Sequence, residues 1–261
     1  MNKEKYSRLP TNRPVMALPG GGISANTLKL IAILLMISDH LWAAFMGYSF
    51  RWMTYLGRLA FPIFAFQIAE GFLHTGNFKK YALRLLVFAG ISEIPFNLFY
   101  SGSVFDPFHQ NVLFTLLLGL LALKVIDNIK KDRTAKNIAL SVLWLVLILM
   151  ASQFGFVDYG SLGMLTVVLF GLCRDFPFAW VGQLVGLVLL NIVWFEGEVI
   201  SIELFGRVSD IPSQGFAVLA LLPIWCYGEK KGRRSKCIQY GSYIFYPAHM
   251  LLLYLITYFA I

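Results

Sequence analysis

Long apolar runs separated by short polar connections are the feature that most constrains how this sequence folds. A helix that crosses a bilayer needs about 20 apolar residues, because each residue rises about 1.5 Å and the hydrocarbon is about 30 Å thick. The sequence predicts nine such spans, and the sixth and eighth are short enough to be tilted ends of longer helices or re-entrant. The predicted spans cover residues 26–46, 52–73, 81–100, 111–126, 137–154, 159–173, 178–195, 214–227 and 240–261.

The composition places the chain in the same class. Hydrophobic residues make up 58% of the 261 residues and charged residues only 14%, which is typical of a multi-pass membrane protein rather than a soluble globule. We therefore predict an all-α fold, with one transmembrane domain over residues 26–261 around a polar cavity. The polar residues 1–25 are expected to form a flexible cytosolic tail.

The distribution of basic residues predicts the orientation of the spans. A net charge of +8 can indicate nucleic-acid binding, but here the cations cluster between apolar runs, which is the positive-inside pattern. We expect a cytosolic N-terminus, a multi-pass location in the cell membrane among its lipids, and no nucleic-acid partner. The cation-rich connections contain Lys79, Lys80, Arg84, Lys124, Lys130, Lys131, Arg133, Lys136, Arg174, Lys230, Lys231, Arg233, Arg234 and Lys236.

Four ionisable residues lie inside the first three apolar runs. Placing an ionisable side chain in hydrocarbon costs about 2.5 kcal/mol or more of free energy. Such residues therefore usually face a water-filled cavity and mark a functional site. Counted from the predicted cytosolic face, Asp39, His40, Arg58 and Glu93 all reach a depth of about 20 Å by helical rise. They are therefore expected to meet in one layer.

The pairings within this layer are open from sequence. Adjacent helical side chains diverge by about 100°, so we expect Asp39 to face Arg58 while His40 faces Glu93 or Asp158. A simple ion pair between Arg58 and Glu93 is the structural alternative. His249, which follows a proline in the last span, is interpreted as a packing residue rather than a catalyst.

Two further groups have competing interpretations. Asn111 opens the fourth span, where it either caps the helix or contributes to the polar layer. At the cytosolic ends, Glu70, His74, Lys80 and Arg84 either set topology or form a docking patch for a phosphorylated cofactor.

Several segments resemble the TraX family: LKLIAILLMISDH, GRLAFPIFAFQIAEGFLHTGNFKKYALRLLVFAGISEIPFNL, QNVLFTLLLGLLAL, DYGSLGMLTVVLF and YPAHMLLLYL. That family is similar to the integral-membrane acyltransferases, which pass an acetyl group from cytosolic acetyl-CoA to an acceptor at or beyond the membrane. The resemblance implies an acetyltransferase that uses a histidine on an early span, here His40. It marks Asp39, Arg58, Glu70, Glu93 and Asn111 as further site positions.

The residue inventory suits this chemistry. A neutral imidazole can serve as a base near pH 7, Glu93 can orient it, and Arg58 or Asn111 can stabilise a thioester oxyanion. Direct transfer and an acetyl-histidine intermediate are both open, as is the acceptor: a peptide N-terminus, a glycan hydroxyl or a small amine. No metal-ligand spacing is present, so no metal is expected.

Two other functions are compatible with the same residues. A proton-coupled secondary transporter would use Asp39, His40, Arg58 and Glu93 as a relay. A non-catalytic assembly factor would use the polar layer to bind a partner helix.

The first prediction concerns topology. Cysteines introduced at Lys79 and Arg133 should be protected from an impermeant reagent in intact cells, whereas those at Asp106 and Glu198 should react, because the basic connections face the cytosol. External labelling at position 133 would overturn both the orientation and the depth estimate.

Overall fold

The computed structural model describes residues 21–47, 49–174, 176, 178–204, 207–230 and 236–260. The described chain is mostly helical. Its α-helices are α1 (Ala25–Leu41), α2 (Trp52–Gly57), α3 (Ala60–His74), α4 (Phe78–Ser101), α5 (Val112–Lys131), α6 (Ala135–Phe154), α7 (Gly160–Cys173), α8 (Ala179–Val188), α9 (Leu221–Trp225) and α10 (Lys236–Ala260). A π-helical turn extends α1 over Trp42–Met46 and another extends α8 over Leu189–Val193, while a 3₁₀ helix, Ser213–Ala220, leads into α9.

Six helical segments of the described chain are long and apolar enough to cross a membrane. They are Ala25–Met46, Trp52–His74, Phe78–Ser101, Val112–Lys131, Ala135–Phe154 and Tyr240–Phe259. Three apolar segments, Gly160–Cys173, Ala179–Val193 and Ser213–Trp225, are shorter. The prediction of nine spans is confirmed in part: the described chain has nine apolar helical segments, but three of them lack the length to span the hydrocarbon as straight helices. The sixth and eighth were expected to be short, whereas the seventh, Ala179–Val193, was expected to span.

Side-chain caps fix where several helices begin. Ser24, Asn77 and Thr134 precede α1, α4 and α6, and each accepts a hydrogen bond from a backbone N–H in the first turn. These bonds satisfy donors that the helix itself leaves without a partner. At the other end of α4, Gly102 adopts a left-handed conformation with φ 67°, which glycine accepts without a steric penalty.

The second span is broken near one of the ionisable residues. Helix α2 ends at Gly57 and α3 begins at Ala60, so Arg58 lies at the break. A Cβ at Gly57 would lie 2.3 Å from Cβ of Asp39, so only glycine permits α2 to approach α1 this closely. The break and the close approach together place Arg58 beside Asp39.

Helices α3, α5 and α7 form the centre of the bundle, and the others pack around them. Helix α6 lies at the periphery, with side chains such as Leu143, Trp144 and Met150 half-exposed. Water would penalise such a face, whereas lipid chains match it. The packing is therefore that of a membrane domain.

Two small strand pairs were not anticipated from the sequence. Strands β2 (Val199–Leu204) and β3 (Arg207–Pro212) form an antiparallel hairpin, and β1 (Ile23–Ser24) pairs in parallel with β4 (Tyr227–Lys230). The end of the expected tail is thus ordered by a partner far along the chain. Most of that tail, residues 1–20, lies outside the described residues.

The second prediction tests the contact between α5 and α7. A Cβ at Gly119 would lie 2.5 Å from Cβ of Val167, so Gly119→Ala should cost about 1–3 kcal/mol through overpacking. Thermal unfolding in detergent would measure it. Gly90→Ala is the matched control, because nothing lies within 4 Å of a Cβ there and alanine is the better helix former. Equal unfolding temperatures for the two variants would contradict the tight crossing.

Candidate functional site

Two histidines from opposite ends of the chain meet inside the bundle. Nδ1 of His40, at the end of α1, lies 2.6 Å from Nε2 of His249 in α10. The rings are nearly parallel, at 10°, with centroids 4.9 Å apart, so the hydrogen bond lies along the line that joins the two rings. Both residues are buried, with relative exposures of 6% and 7%. A close imidazole pair is therefore fixed between α1 and α10.

The backbone of α10 fixes the tautomers of this pair. Nδ1 of His249 is 2.9 Å from the carbonyl oxygen of Phe245, and a carbonyl oxygen only accepts, so Nδ1 carries the proton. Nε2 of a neutral His249 then has a lone pair, and His40 must donate to it through Nδ1. In neutral His40 the proton is on Nδ1, which leaves Nε2 with a basic lone pair.

Aromatic side chains surround the histidine pair. Phe99 and Tyr100 of α4 lie 5.7 Å and 6.3 Å from the His40 ring, and Phe245 stacks on His249 at 4.8 Å. The π-helical turn of residues 42–46 begins two residues after His40, and such turns are frequent at functional sites.

A second polar cluster lies beside the first. Thr54 donates a hydrogen bond of 2.5 Å to the carboxylate of Asp39. Arg58 is within electrostatic reach of Asp39, Asp158 and Tyr159. Asp39 and Arg58 are therefore close to each other, as expected. The hydrogen bond of Asp39, however, is to Thr54. Tyr100 is within reach of both carboxylates, which links this cluster to His40.

The loop before α7 holds Asp158 and Tyr159 in place. The backbone N–H of Asp158 donates to Gln110, and its carbonyl accepts a hydrogen bond from Thr115 of α5. Tyr159 adopts φ 62°, an uncommon conformation for a bulky residue, and such strain is concentrated at functional sites. Its ring stacks on Phe61 at 4.1 Å.

Glu93 does not contact His40 through a hydrogen bond, contrary to one of the pairings expected from sequence. Its Oε1 instead accepts hydrogen bonds from the backbone N–H of Asn111, at 2.9 Å, and from the Asn111 side-chain amide. That amide also donates to the carbonyl of Ala89, at 2.9 Å, and Oδ1 of Asn111 accepts from Leu113. Both amide hydrogens of Asn111 are thus used, and the residue serves as the cap of α5.

The residues expected at the cytosolic ends have different surroundings. Glu70 forms an ion pair with Arg174, and His74 and Lys80 are exposed. Arg84 lies over the rings of Tyr81 and Tyr243, at 5.6 Å and 5.5 Å from their centroids. Tyr81 and Tyr243 line a cavity, so Arg84 packs against its wall.

That cavity runs between α1, α3, α4, α5 and α10 and has a volume of about 140 Å³. Its wall is mostly apolar, and it extends from Lys29, Tyr81 and Tyr243 to Met36 and Tyr246. Met36 precedes His40 by one helical turn, and the Tyr246 ring is 5.8 Å from that of His249. The cavity therefore ends close to the histidine pair.

Comparison with known proteins decides the family. The family model described as TraX protein matches residues 24–257. The chain belongs to the TraX family. A relative from Dichelobacter nodosus, named "Probable fimbrial assembly protein FimC, serogroup H1", is 30% identical over 255 residues, covering 88% of this chain and 94% of that protein. No solved structure matches.

Two features of this TraX-family site escaped the sequence reasoning. The pairing of His249 with His40 joins residues 209 positions apart, and no local pattern reports such a contact. Lys29, which lines the cavity, could have been recognised from the sequence as a candidate site residue, since a single cation inside an apolar run suggests function. Among the described residues, no group of three His, Cys, Asp or Glu side chains is arranged to hold a metal ion.

The third prediction concerns the loop carboxylate. Burial raises the pKa of Asp158 to about 7, and the opposing effect of Arg58 does not offset it. An unfolded Asp has a pKa of about 3.9, so the folded state binds the extra proton between these values. The free energy of unfolding should therefore fall as pH rises through this interval and level off above pH 7.

Thermal unfolding in detergent from pH 5 to pH 8 would measure this effect. Asp158→Asn should remove that part of the pH dependence, so the stability of the variant relative to wild type should increase with pH. Parallel curves for the two proteins would contradict a raised pKa.

Proposed function

We propose that this TraX-family protein is an integral-membrane acetyltransferase. It moves an acetyl group from cytosolic acetyl-CoA to an acceptor at the membrane or on its outer side. The observation that carries the proposal is the hydrogen-bonded series from the Phe245 carbonyl through His249 to His40. This series leaves Nε2 of His40 as a deprotonated nitrogen of defined orientation, which is what a general base or an acyl carrier requires.

In direct transfer, Nε2 of His40 takes a proton from the amine or hydroxyl of the acceptor while that atom attacks the thioester carbonyl. The carbon–sulfur bond then breaks, and the departing CoA thiolate receives the proton from Nε2. In the two-step alternative, Nε2 itself attacks the carbonyl, the carbon–sulfur bond breaks and CoA leaves as the thiolate. The acceptor then attacks the acetyl carbon on Nε2, the carbon–nitrogen bond to His40 breaks, and the proton that the acceptor loses passes to the CoA thiolate. His249 stabilises the positive charge on His40 in both cases by accepting from Nδ1.

The other candidate residues assume different roles around His40. Arg58 is the donor that would stabilise the oxyanion of the thioester, because it carries a fixed positive charge in the neighbouring cluster. Asn111 has no amide hydrogen left for such a role. Together with Glu93 it is a positioning residue that fixes α4 against the start of α5.

The cavity provides a route for the acetyl group. It approaches the histidine pair from the end of the bundle that carries Lys29 and Arg84, which the charge pattern assigns to the cytosol. A thioester on a flexible arm would enter there. Glu70, His74 and Lys80 lie outside the cavity wall in the described structure, so any contact they make with acetyl-CoA would be at its outer, nucleotide part.

The name of the relative supports the acceptor class that we propose. Because that protein is named for fimbrial assembly, we assign a fimbrial or pilin-like subunit as the acceptor, modified on a peptide amine. The Asp39–Arg58–Asp158 cluster does not line the cavity, and its charges would meet such a group.

A proton-coupled transporter is the second candidate, and one observation favours it. Asp158 has a pKa near 7 and is linked through Arg58 to Asp39, as a proton relay requires.

One experiment separates the enzyme from the transporter: the purified protein is incubated with isotope-labelled acetyl-CoA and membrane extract. Labelled products identified by mass spectrometry support the enzyme, whereas uptake in vesicles that depends on a proton gradient, without labelling, supports the transporter.

The fourth prediction tests the catalyst. His40→Ala should lower acetyl transfer by at least 10²–10⁴-fold, about the effect of losing a general base, while folding and CoA binding are retained. Turnover, thermal stability and CoA affinity would be measured on the same preparations. Turnover close to wild type would remove His40 from the mechanism and leave the transporter as the leading function.

Two matched variants show whether the effect is specific. Glu93→Gln keeps an oxygen that accepts from Asn111, so it should slow turnover less than His40→Ala does. His249→Gln can still accept from Nδ1 of His40, whereas His249→Phe cannot. The glutamine variant should therefore retain more turnover than the phenylalanine variant, with CoA affinity equal in both.

A further inference from the structure

One proton of a peptide acceptor has no destination in the proposed reaction. A peptide amino group has a pKa of about 7.7–8.0, so near pH 7 it is mostly an ammonium ion. The ammonium nitrogen has no lone pair and must lose a proton before it can attack a thioester. The proton that Nε2 of His40 takes during the attack is a second one. The acceptor therefore needs a further base on its way to His40.

The membrane limits where that first proton is lost. A cation inside hydrocarbon costs free energy, so the amine enters the bundle more readily in its neutral form. The connection between α4 and α5, residues 102–111, contains Asp106 and no basic residue other than a histidine, and the charge pattern assigns it to the outer side. A base in this connection would remove the proton before the amine reaches His40.

His109 is an imidazole in this connection, just before the start of α5. Its ring packs against Phe96 and Tyr100 of α4, with centroid distances of 4.8 Å and 5.6 Å. The residue is partly exposed, and neither ring nitrogen forms a hydrogen bond with a residue that the structure describes. A neutral imidazole has one nitrogen with a lone pair. In His109 that nitrogen is available to a ligand.

Tyr100 and the neighbouring Gln110 connect His109 to the candidate site. The Tyr100 ring lies 6.3 Å from the ring of His40 and 5.6 Å from that of His109, so the two histidines pack against one tyrosine. The backbone N–H of Asp158 donates to the carbonyl of Gln110 at 2.8 Å. These contacts hold His109 beside both the histidine pair and the loop before α7.

The surroundings of His109 favour the neutral ring near pH 7. Burial lowers the pKa of His109 from its usual value of about 6.5, and Asp106 of the same connection opposes this shift without offsetting it. Among the described residues, Tyr100 is the titratable side chain of α4 in ring contact with His109, and Glu93 of α4 is within electrostatic reach of Asp106. The ring can therefore accept a proton, and the Asp106 carboxylate stabilises the imidazolium that results.

We propose that His109 is a second base, which takes the ammonium proton of a peptide acceptor and releases it to water on the outer side. The inference rests on the proposed acetyl transfer and deepens it, because it adds a catalytic residue on the path of the acceptor. The nitrogen of His109 that carries no hydrogen takes one proton, which leaves a neutral amine and an imidazolium. The imidazolium gives this proton to water. The amine moves past Tyr100 and attacks the acetyl group at His40.

The atoms and charges of the reaction balance with this step. One ammonium ion and one acetyl thioester give one amide, one CoA thiol and one proton. The nitrogen–hydrogen bond that breaks first supplies the released proton, and the bond that breaks during the attack supplies the proton of the CoA thiol. An acceptor hydroxyl carries no such extra proton, so it would not need His109.

The pH dependence of transfer tests this role. Wild type and His109→Gln are compared in detergent with isotope-labelled acetyl-CoA and membrane extract at pH 6.5 and pH 9, and each rate is divided by the wild-type rate at the same pH. At pH 6.5 only a few per cent of peptide amino groups are neutral, so the variant should be about 20–30-fold slower than wild type. At pH 9 most of them are neutral, so the two rates should agree within about twofold.

Phe105→Leu is the matched control, because Phe105 lies in the same connection and its side chain is exposed. It should match wild type at both pH values. His109→Asn should behave like His109→Gln, and both should keep the thermal stability of wild type and its KM for acetyl-CoA. A loss of equal size at both pH values overturns the proposal, since the role of His109 is then structural. An acetylated product that mass spectrometry identifies as an ester also overturns it.

The wild-type reaction separates this inference from the function on which it rests. Labelled amide from wild type, with equal rates for His109→Gln at pH 6.5, overturns the second base while acetyl transfer stands. No labelled product from wild type at either pH overturns acetyl transfer and the second base together. Labelled amide with a loss confined to pH 6.5 supports both.

Discussion

A membrane interior offers no hydrogen-bond partner, and the arrangement of polar side chains in this protein follows from that constraint. His40 and His249 bond to each other, and the remaining N–H of His249 is bonded to the backbone of its own helix. Glu93 is bonded to Asn111 at the start of α5. The His40–His249 and Glu93–Asn111 bonds also join two helices each, so pairs that satisfy polar groups help to hold the bundle in register.

Irregular backbone accompanies several of the polar groups. The π-helical turn after His40, the break at Arg58 and the positive φ of Tyr159 all lie in the same region. Regular helices would have directed these side chains elsewhere, because side-chain direction is fixed by the helical period. The irregularities turn Arg58 and Tyr159 towards Asp39 and Asp158.

The polar cluster and the cavity differ chemically. The cavity wall is mostly apolar and contains Lys29, whereas Arg58 is within electrostatic reach of Asp39 and Asp158, and none of these three residues lines the cavity. Tyr246 connects the cavity to the histidine pair, because it lines the cavity and its ring is 5.8 Å from that of His249. The proposed acetyl transfer uses both surroundings of the histidine pair.

The sequence by itself determined the membrane class, the number of helical segments and which charges lie within them, because length, apolarity and local charge are local properties of the chain. It also predicts that Asp39, His40, Arg58 and Glu93 reach similar depths, since helical rise is constant. Only the tertiary structure decided the partners. Side-chain pairing between helices depends on the rotation of each helix about its axis and on irregularities such as the break after Gly57 and the π-helical turn that begins at Trp42. Those are set by packing between residues up to 209 positions apart, so His249, expected to pack, became the partner of His40, and Glu93 became part of a helix cap.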